Sequence, residues 1–148
     1  MAEILGNWQG RNHLWLHPGA PVRESDSTAE MSEIAKGQLT EIRYSWADEG
    51  EPQEGRFYLV RPSEEGAVQA VWFDTWHTAG KFMVFEGTAD PDGTVSVTGS
   101  YAAPPGPDWG WEITIEPPEN DAFYFRMYNI TPEGEKALAV EVKYSRQQ

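Results

Sequence analysis

The chain has 148 residues, with 24 acidic against 11 basic side chains, a formal charge of −13 and no cysteine. Phosphate backbones and anionic bilayers repel such a polyanion within the Debye length, which argues against a nucleic-acid or membrane partner. Seven Trp, six Tyr and six Phe separate it from disordered acidic tails, and a chain of this length sustains one core unaided, so a single domain over 1–148 is expected.

No run approaches the roughly eighteen apolar residues of a membrane helix. The start, Met1-Ala2-Glu3-Ile4-Leu5-Gly6, lacks the basic and apolar regions of a secretory signal, and the expected compartment is the cytoplasm. Turn-forming clusters then divide the chain at Pro18-Gly19, Lys36-Gly37, Asp48-Glu49-Gly50, Glu64-Glu65-Gly66, Asp92-Gly93, Pro104-Pro105-Gly106-Pro107, Pro117-Pro118 and Pro132-Glu133-Gly134, leaving little room for helices.

Between these breakers the sequence predicts ten strands, near 9–16, 27–34, 38–46, 54–61, 67–73, 81–87, 94–101, 109–116, 122–130 and 136–146. Several alternate with period two: Val95, Val97, Gly99 and Tyr101 share one face, as do Trp109, Trp111, Ile113 and Ile115, and then Leu138, Val140, Val142 and Tyr144. That is the mark of half-buried antiparallel strands. Residues 27–35 have a helical alternative through Ala29, Glu30, Met31 and Ile34, but strand is the preferred reading. Short links make each strand pair with its predecessor, and closure removes the two exposed edges. An all-β, up-and-down antiparallel β-barrel of about ten strands is therefore expected, ahead of a sandwich.

Gly6-Asn7-Trp8 at the first strand and Tyr144-Ser145-Arg146 at the last resemble the calycin superfamily of lipocalin-like and fatty-acid-binding-like barrels. The resemblance implies that Trp8 packs at the closed end beneath Arg146. The blocks Trp72-Phe73-Asp74-Thr75-Trp76-His77, Gly99-Ser100-Tyr101, Pro107-Asp108-Trp109-Gly110-Trp111 and Ile130-Thr131-Pro132-Glu133-Gly134-Glu135 also resemble an uncharacterised bacterial family of calycin-like barrels, a domain of unknown function. That similarity spans nearly the whole chain and implies a fold but no activity. The G-x-W-x-G opening at Gly6, Trp8 and Gly10 is similar to that of haem-binding nitrobindin-type barrels, whose proximal His comes from the last strands. Residues 109–148 contain no His, so no haem is carried over and no cofactor is expected.

If Trp8 marks the closed end, the links at His17 to Ser25, Ala47 to Gln53, Asp74 to Gly80, Ala102 to Asp108 and Thr131 to Glu135 lie at the open end. His17 and His77 fall on those links and Trp46, Asp74, Trp76, Asp108 and Trp109 beside them, where a rigid scaffold carries its functional groups. The expected ligand-binding residues are Tyr44, Trp46, Trp72, Trp76, His77, Tyr101, Trp109, Trp111 and Tyr144. Aromatic walls suit flat ligands, and indole N–H and phenol O–H groups supply oriented donors. The same rings also serve simply to fill a barrel.

Asp74 and His77, three apart beside Thr75, are the catalytic candidates, because a carboxylate on one imidazole nitrogen orients the other as general acid or base. The competing reading has Asp74 capping backbone N–H groups in a turn. His13, His17 and His77 are considered as a three-His metal site, but they have no metal-ligand spacing, and no metal is expected. Arg126 and Tyr128 alternate on the ninth strand with undecided parity; the exposed reading of Arg126 is preferred, and Arg43 is expected outside. The leading function is thus binding of a small, mostly apolar or aromatic molecule at the open end. The alternatives are a cofactor-free isomerase, lyase or hydrolase using Asp74 and His77, and a barrel that only forms a homodimer through exposed apolar residues.

Overall fold

Each of these alternating segments becomes a strand with one buried face in the computed structural model, which describes residues 2–148. The strands are β1 (Gly6–Leu14), β2 (Arg23–Ile34), β3 (Leu39–Asp48), β4 (Glu51–Val60), β5 (Ala67–Asp74), β6 (Met83–Ala89), β7 (Val95–Tyr101), β8 (Trp109–Ile115), β9 (Ala122–Ile130) and β10 (Lys136–Arg146). Every strand pairs antiparallel with its predecessor, and β1 pairs with β10, so the sheet is a closed barrel. Single 3-10 turns at Ala2–Ile4 and Ala35–Gly37 are the only helical elements among the described residues. No helix among the described residues is long and apolar enough to cross a membrane.

Closure fixes the two ends. Trp8 stands opposite Arg146 in the β1–β10 ladder and is fully buried, with the guanidinium 4.2 Å from its ring centroid. The indole donates 2.8 Å to the Ile4 carbonyl, while Arg146 donates to the carbonyls of Leu5 and Glu3 and to Asp121. The expected cation–π contact is present, within a set of hydrogen bonds that ties both ends of the chain together. Gly6 is required there: its φ is +120°, and a Cβ would stand 3.0 Å from the Arg146 guanidinium, in a region side chains rarely enter.

The core runs through the barrel from this end. Phe123 meets Trp8 edge-on at 4.7 Å and lies 5.5 Å from Tyr144, whose hydroxyl shares a 2.7 Å hydrogen bond with Ser27. Further up, Phe57, Phe85 and Phe125 fill the middle. Phe123, Phe125 and Met127 point inward, which settles the parity of β9. Arg126 is on the outside, 2.7 Å from Glu141 and 2.8 Å from Glu116, over the Tyr124 ring. Arg43, also exposed, pairs with Glu30.

Three sequence expectations change. Residues 27–35 are strand except for the 3-10 turn that begins at Ala35, and β2 starts four residues earlier than predicted, at Arg23. The polar run Arg23-Glu24-Ser25-Asp26-Ser27 looks like loop, yet Ser25 Oγ accepts the Ala47 N–H and Ser27 is satisfied by Tyr144. The expected open-end link over 47–53 is only Glu49-Gly50, because Asp48 pairs with Glu51. Both turn residues have positive φ, the backbone of a two-residue type I′ hairpin. Finally, a bulge between Leu138 and Val140 in β10 buries Ala139 beside Val140, where strict alternation would have exposed it.

Candidate functional site

At the open end, β5 runs out at Asp74 and the chain turns sharply back into the barrel. Asp74 is fully buried. Its Oδ1 accepts the backbone N–H of Trp76 at 2.8 Å and of His77 at 2.9 Å. Its Oδ2 accepts Tyr44 O–H at 2.6 Å and Trp46 Nε1–H at 3.1 Å. The Tyr44 oxygen in turn accepts Trp72 Nε1–H at 2.8 Å. Burial, and then the adjacent Asp74 charge, push the Tyr44 phenol well above its ordinary range, so it stays a neutral donor.

This corrects the Asp74–His77 dyad. The carboxylate holds the backbone of His77, not its imidazole, and both its oxygens are committed to building the turn. The turn delivers His77 inward, where the imidazole is surrounded by four indoles: Trp46 at 5.4 Å, Trp72 and Trp111 at 5.5 Å, and Trp76 at 4.7 Å. Burial lowers its pKa below the ordinary histidine value, against a smaller opposing pull from Asp74 and Asp48. A neutral ring in an aromatic box is the result.

Glycine makes the Tyr44–Asp74 contact possible. Tyr44 is paired with Gly55, and Gly55 with Asp74, across three neighbouring strands. The Tyr44 ring lies directly over Gly55, where any Cβ would collide with it. Sequence reasoning passed over Gly55, although an isolated glycine inside a strand signals close approach of this kind.

Two cavities flank the His77 box. The larger, about 640 Å³, is walled by Trp72, His77, Lys81, Phe82, Met83, Val84, Ser100, Tyr101 and Trp111, among others. The smaller, about 190 Å³, lies toward Leu14, Trp15, His17, Trp76, Trp109 and Asn129, and His77 and Trp111 form the partition between the two. Trp72 and Trp111 stack at 5.7 Å with planes 12° apart, closing the floor. Tyr101 reaches from the cavity to Asn129 through its hydroxyl.

The larger cavity opens where the wall is incomplete. The β6–β7 ladder covers only Glu86–Ala89 against Val95–Thr98, so Met83 and Val84 on one side and Ser100 and Tyr101 on the other border a cleft. Beside it Phe82 is 70% and Val84 64% exposed, and Leu16, Val22 and Trp76 are further exposed apolar side chains of the same end.

Of the sequence-expected binding residues, Trp72, Trp76, His77, Tyr101, Trp109 and Trp111 line one cavity or both. Trp46 and Tyr44 stand behind His77 as its support. Tyr144 is elsewhere, packed among Phe123 and Phe125 in the closed half. Sequence reasoning missed Lys81, Phe82, Met83 and Ser100, which border the cleft only because the β6–β7 pairing stops short. His13 is not at the mouth: it pairs with Glu24 and stacks on Trp15 outside the barrel wall. Among the described residues no three metal-ligating side chains cluster.

A family described as "Protein of unknown function (DUF1579)" matches residues 1–146. The chain belongs to the DUF1579 family. Its fold is shared with solved structures: Rv2717c from M. tuberculosis aligns with TM-score 0.67 and 17% identity, covering 99% of this chain and 94% of that one. An S-type phycobiliprotein lyase from Guillardia theta aligns with TM-score 0.69 and 17% identity, covering 99% and 90%. At such identity the likeness is one of fold, a lipocalin-like ten-stranded barrel. No curated protein matches the sequence.

Proposed function

We propose that this DUF1579 protein is a single-domain binding barrel that takes a small, mostly apolar or aromatic molecule in the cavity at its open end. The observation that carries the reading is the 640 Å³ space walled by Trp72, His77, Tyr101 and Trp111, within the size range of small-molecule sites and placed at a barrel mouth. The alternative that rings only fill the barrel accounts for Phe57, Phe85 and Phe125 in the middle. It gives no reason for aromatic side chains around open space. A solved neighbour with the same barrel is named a phycobiliprotein lyase, which is compatible with such a scaffold serving small-molecule chemistry. The dyad needed for an acid–base reaction is not formed, so binding is preferred to catalysis.

The test uses 1-aminoanthracene, a flat neutral fluorophore. Its emission should rise saturably with one site per chain, and the melting temperature should increase, since ligand at one hundred times Kd adds about 2.7 kcal/mol. Met83→Trp, which enlarges a partly buried side chain of the cavity wall, should abolish the response without unfolding the protein. A probe that fails to saturate, or that binds Met83→Trp equally well, rules the reading out.

A further inference from the structure

The proposed binding site has two polar features that the aromatic box does not explain. Trp111 is 8% exposed, and its Nε1–H is the one buried side-chain donor or acceptor without a partner among the described residues. The indoles of Trp8, Trp46 and Trp72 each find an acceptor within the protein. An orphan donor in a dry site is costly, and it is rare enough in folded chains to require a reason. The Trp111 side chain also lines both cavities, with its Nε1–H closed to solvent.

The second feature is Lys81. It is exposed on the rim and makes no ion pair with any described residue. Among the described residues lining the larger cavity, it bears the sole formal charge at neutral pH. Acidic side chains outnumber basic ones by 24 to 11, and Arg11, Arg23, Arg43, Arg56, Arg126, Lys136 and Arg146 are each matched to a carboxylate. Lys36, Arg61 and Lys143 also lack a carboxylate partner among the described residues, but of these four cations only Lys81 lines the cavity, whose wall carries no acidic side chain.

We propose that the cavity selects a flat aromatic carboxylate that also carries a ring-borne acceptor, with the carboxylate at Lys81 and the acceptor toward Trp111 Nε1–H. The proposal rests on the binding reading above and adds the chemical class of the ligand. Stacking against Trp72 and Trp111 supplies affinity for any flat ring, whereas Lys81 discriminates an anion from its neutral isostere through the charge–charge attraction that only the anion feels.

Coumarin-3-carboxylate and its uncharged carboxamide, which share a ring and a lactone carbonyl, provide the test by isothermal titration calorimetry at pH 7.5. The carboxylate should bind about two- to fivefold tighter, the range of an exposed ion pair, with an advantage that shrinks in high salt. Lys81→Gln should erase that advantage by weakening the carboxylate, with a smaller effect on the carboxamide. Lys36→Gln, at the opposite end of the barrel, should change neither. Trp111→Phe should weaken both probes severalfold.

Equal binding of the two probes, an advantage that survives Lys81→Gln, or Trp111→Phe without effect overturns the proposal. If neither coumarin binds while 1-aminoanthracene does, the ligand class is wrong and the binding reading stands; if none of the three binds, both fall.

Discussion

The two ends of this barrel solve the burial of a tryptophan in opposite ways. At the closed end, Trp8 is sealed beneath Arg146, its N–H is bonded to Ile4, and the guanidinium is spent on Leu5, Glu3 and Asp121. At the open end, the Trp111 N–H has no described partner, the neighbouring wall is unpaired above Glu86 and Thr98, and large apolar side chains reach solvent. Complete satisfaction makes an end rigid and dispensable to recognition. Incomplete satisfaction leaves interactions to be completed by something that enters, at a cost in stability.

The sharpest way to break this contrast is at Trp8. Trp8→Ala should destabilise the barrel by about 3–5 kcal/mol, the range for removing a buried aromatic, as read by urea denaturation. Probe affinity in the fraction that remains folded should be unchanged. A variant that melts like the parent would mean that the closed end is not what holds the barrel shut.

Gly55→Ala comes next, at about 1–3 kcal/mol, because overpacking displaces the Tyr44 ring and with it the Asp74 contacts. Unlike Trp8→Ala, it should also reduce binding, since the Asp74 turn positions His77. Loss of stability without loss of binding would separate Tyr44 from the site.

The third effect depends on pH. Burial lowers the His77 pKa in the folded barrel, so the unfolded chain takes up this proton first as pH falls. The His77 contribution is fully present above about pH 6.5 and is lost below it, by up to about 1.4 kcal/mol per pH unit until the folded state also titrates. Carboxylates, including the nearby Asp74 and Asp48, are common to both proteins in a comparison with His77→Gln. The difference in denaturation free energy between the two at pH 7.5, 6.5 and 5.5 should therefore isolate this term. A parallel pH dependence would show that His77 is solvated rather than boxed. Smallest should be Arg11→Ala, whose exposed pairing with Asp26 and Glu24 is worth about 0.5 kcal/mol or less, at neither end's expense.

The contrast also explains what the sequence could reveal. Strand number, order and the Trp8–Arg146 contact are legible because alternation and turn residues act locally, and closure leaves β1 one partner. Asp74 as a turn cap is legible for the same reason. The cleft is not, because it depends on where the β6–β7 pairing stops, and Val84 and Ser100 alternate there as regularly as residues in a complete ladder. Nor is Tyr144 legible as a closed-half residue: its parity correctly says inside, but parity carries no depth. The start of β2 was hidden by serines whose partners, Tyr144 and Ala47, lie on other strands.

Every ladder but one joins strands adjacent in sequence, and the exception pairs residues 8–14 with 140–146. During synthesis the hairpins from β2 to β9 can form as they leave the ribosome. The seam that abolishes both free edges must wait until residue 146 is clear of the exit tunnel. Contacts of such long sequence separation are the slow ones, and a nearly finished sheet exposes pairing edges in the meantime. The dense bonding around Trp8 and Arg146 is thus a latch on a late step, and weakening it should show first in cells as aggregation of newly made chains.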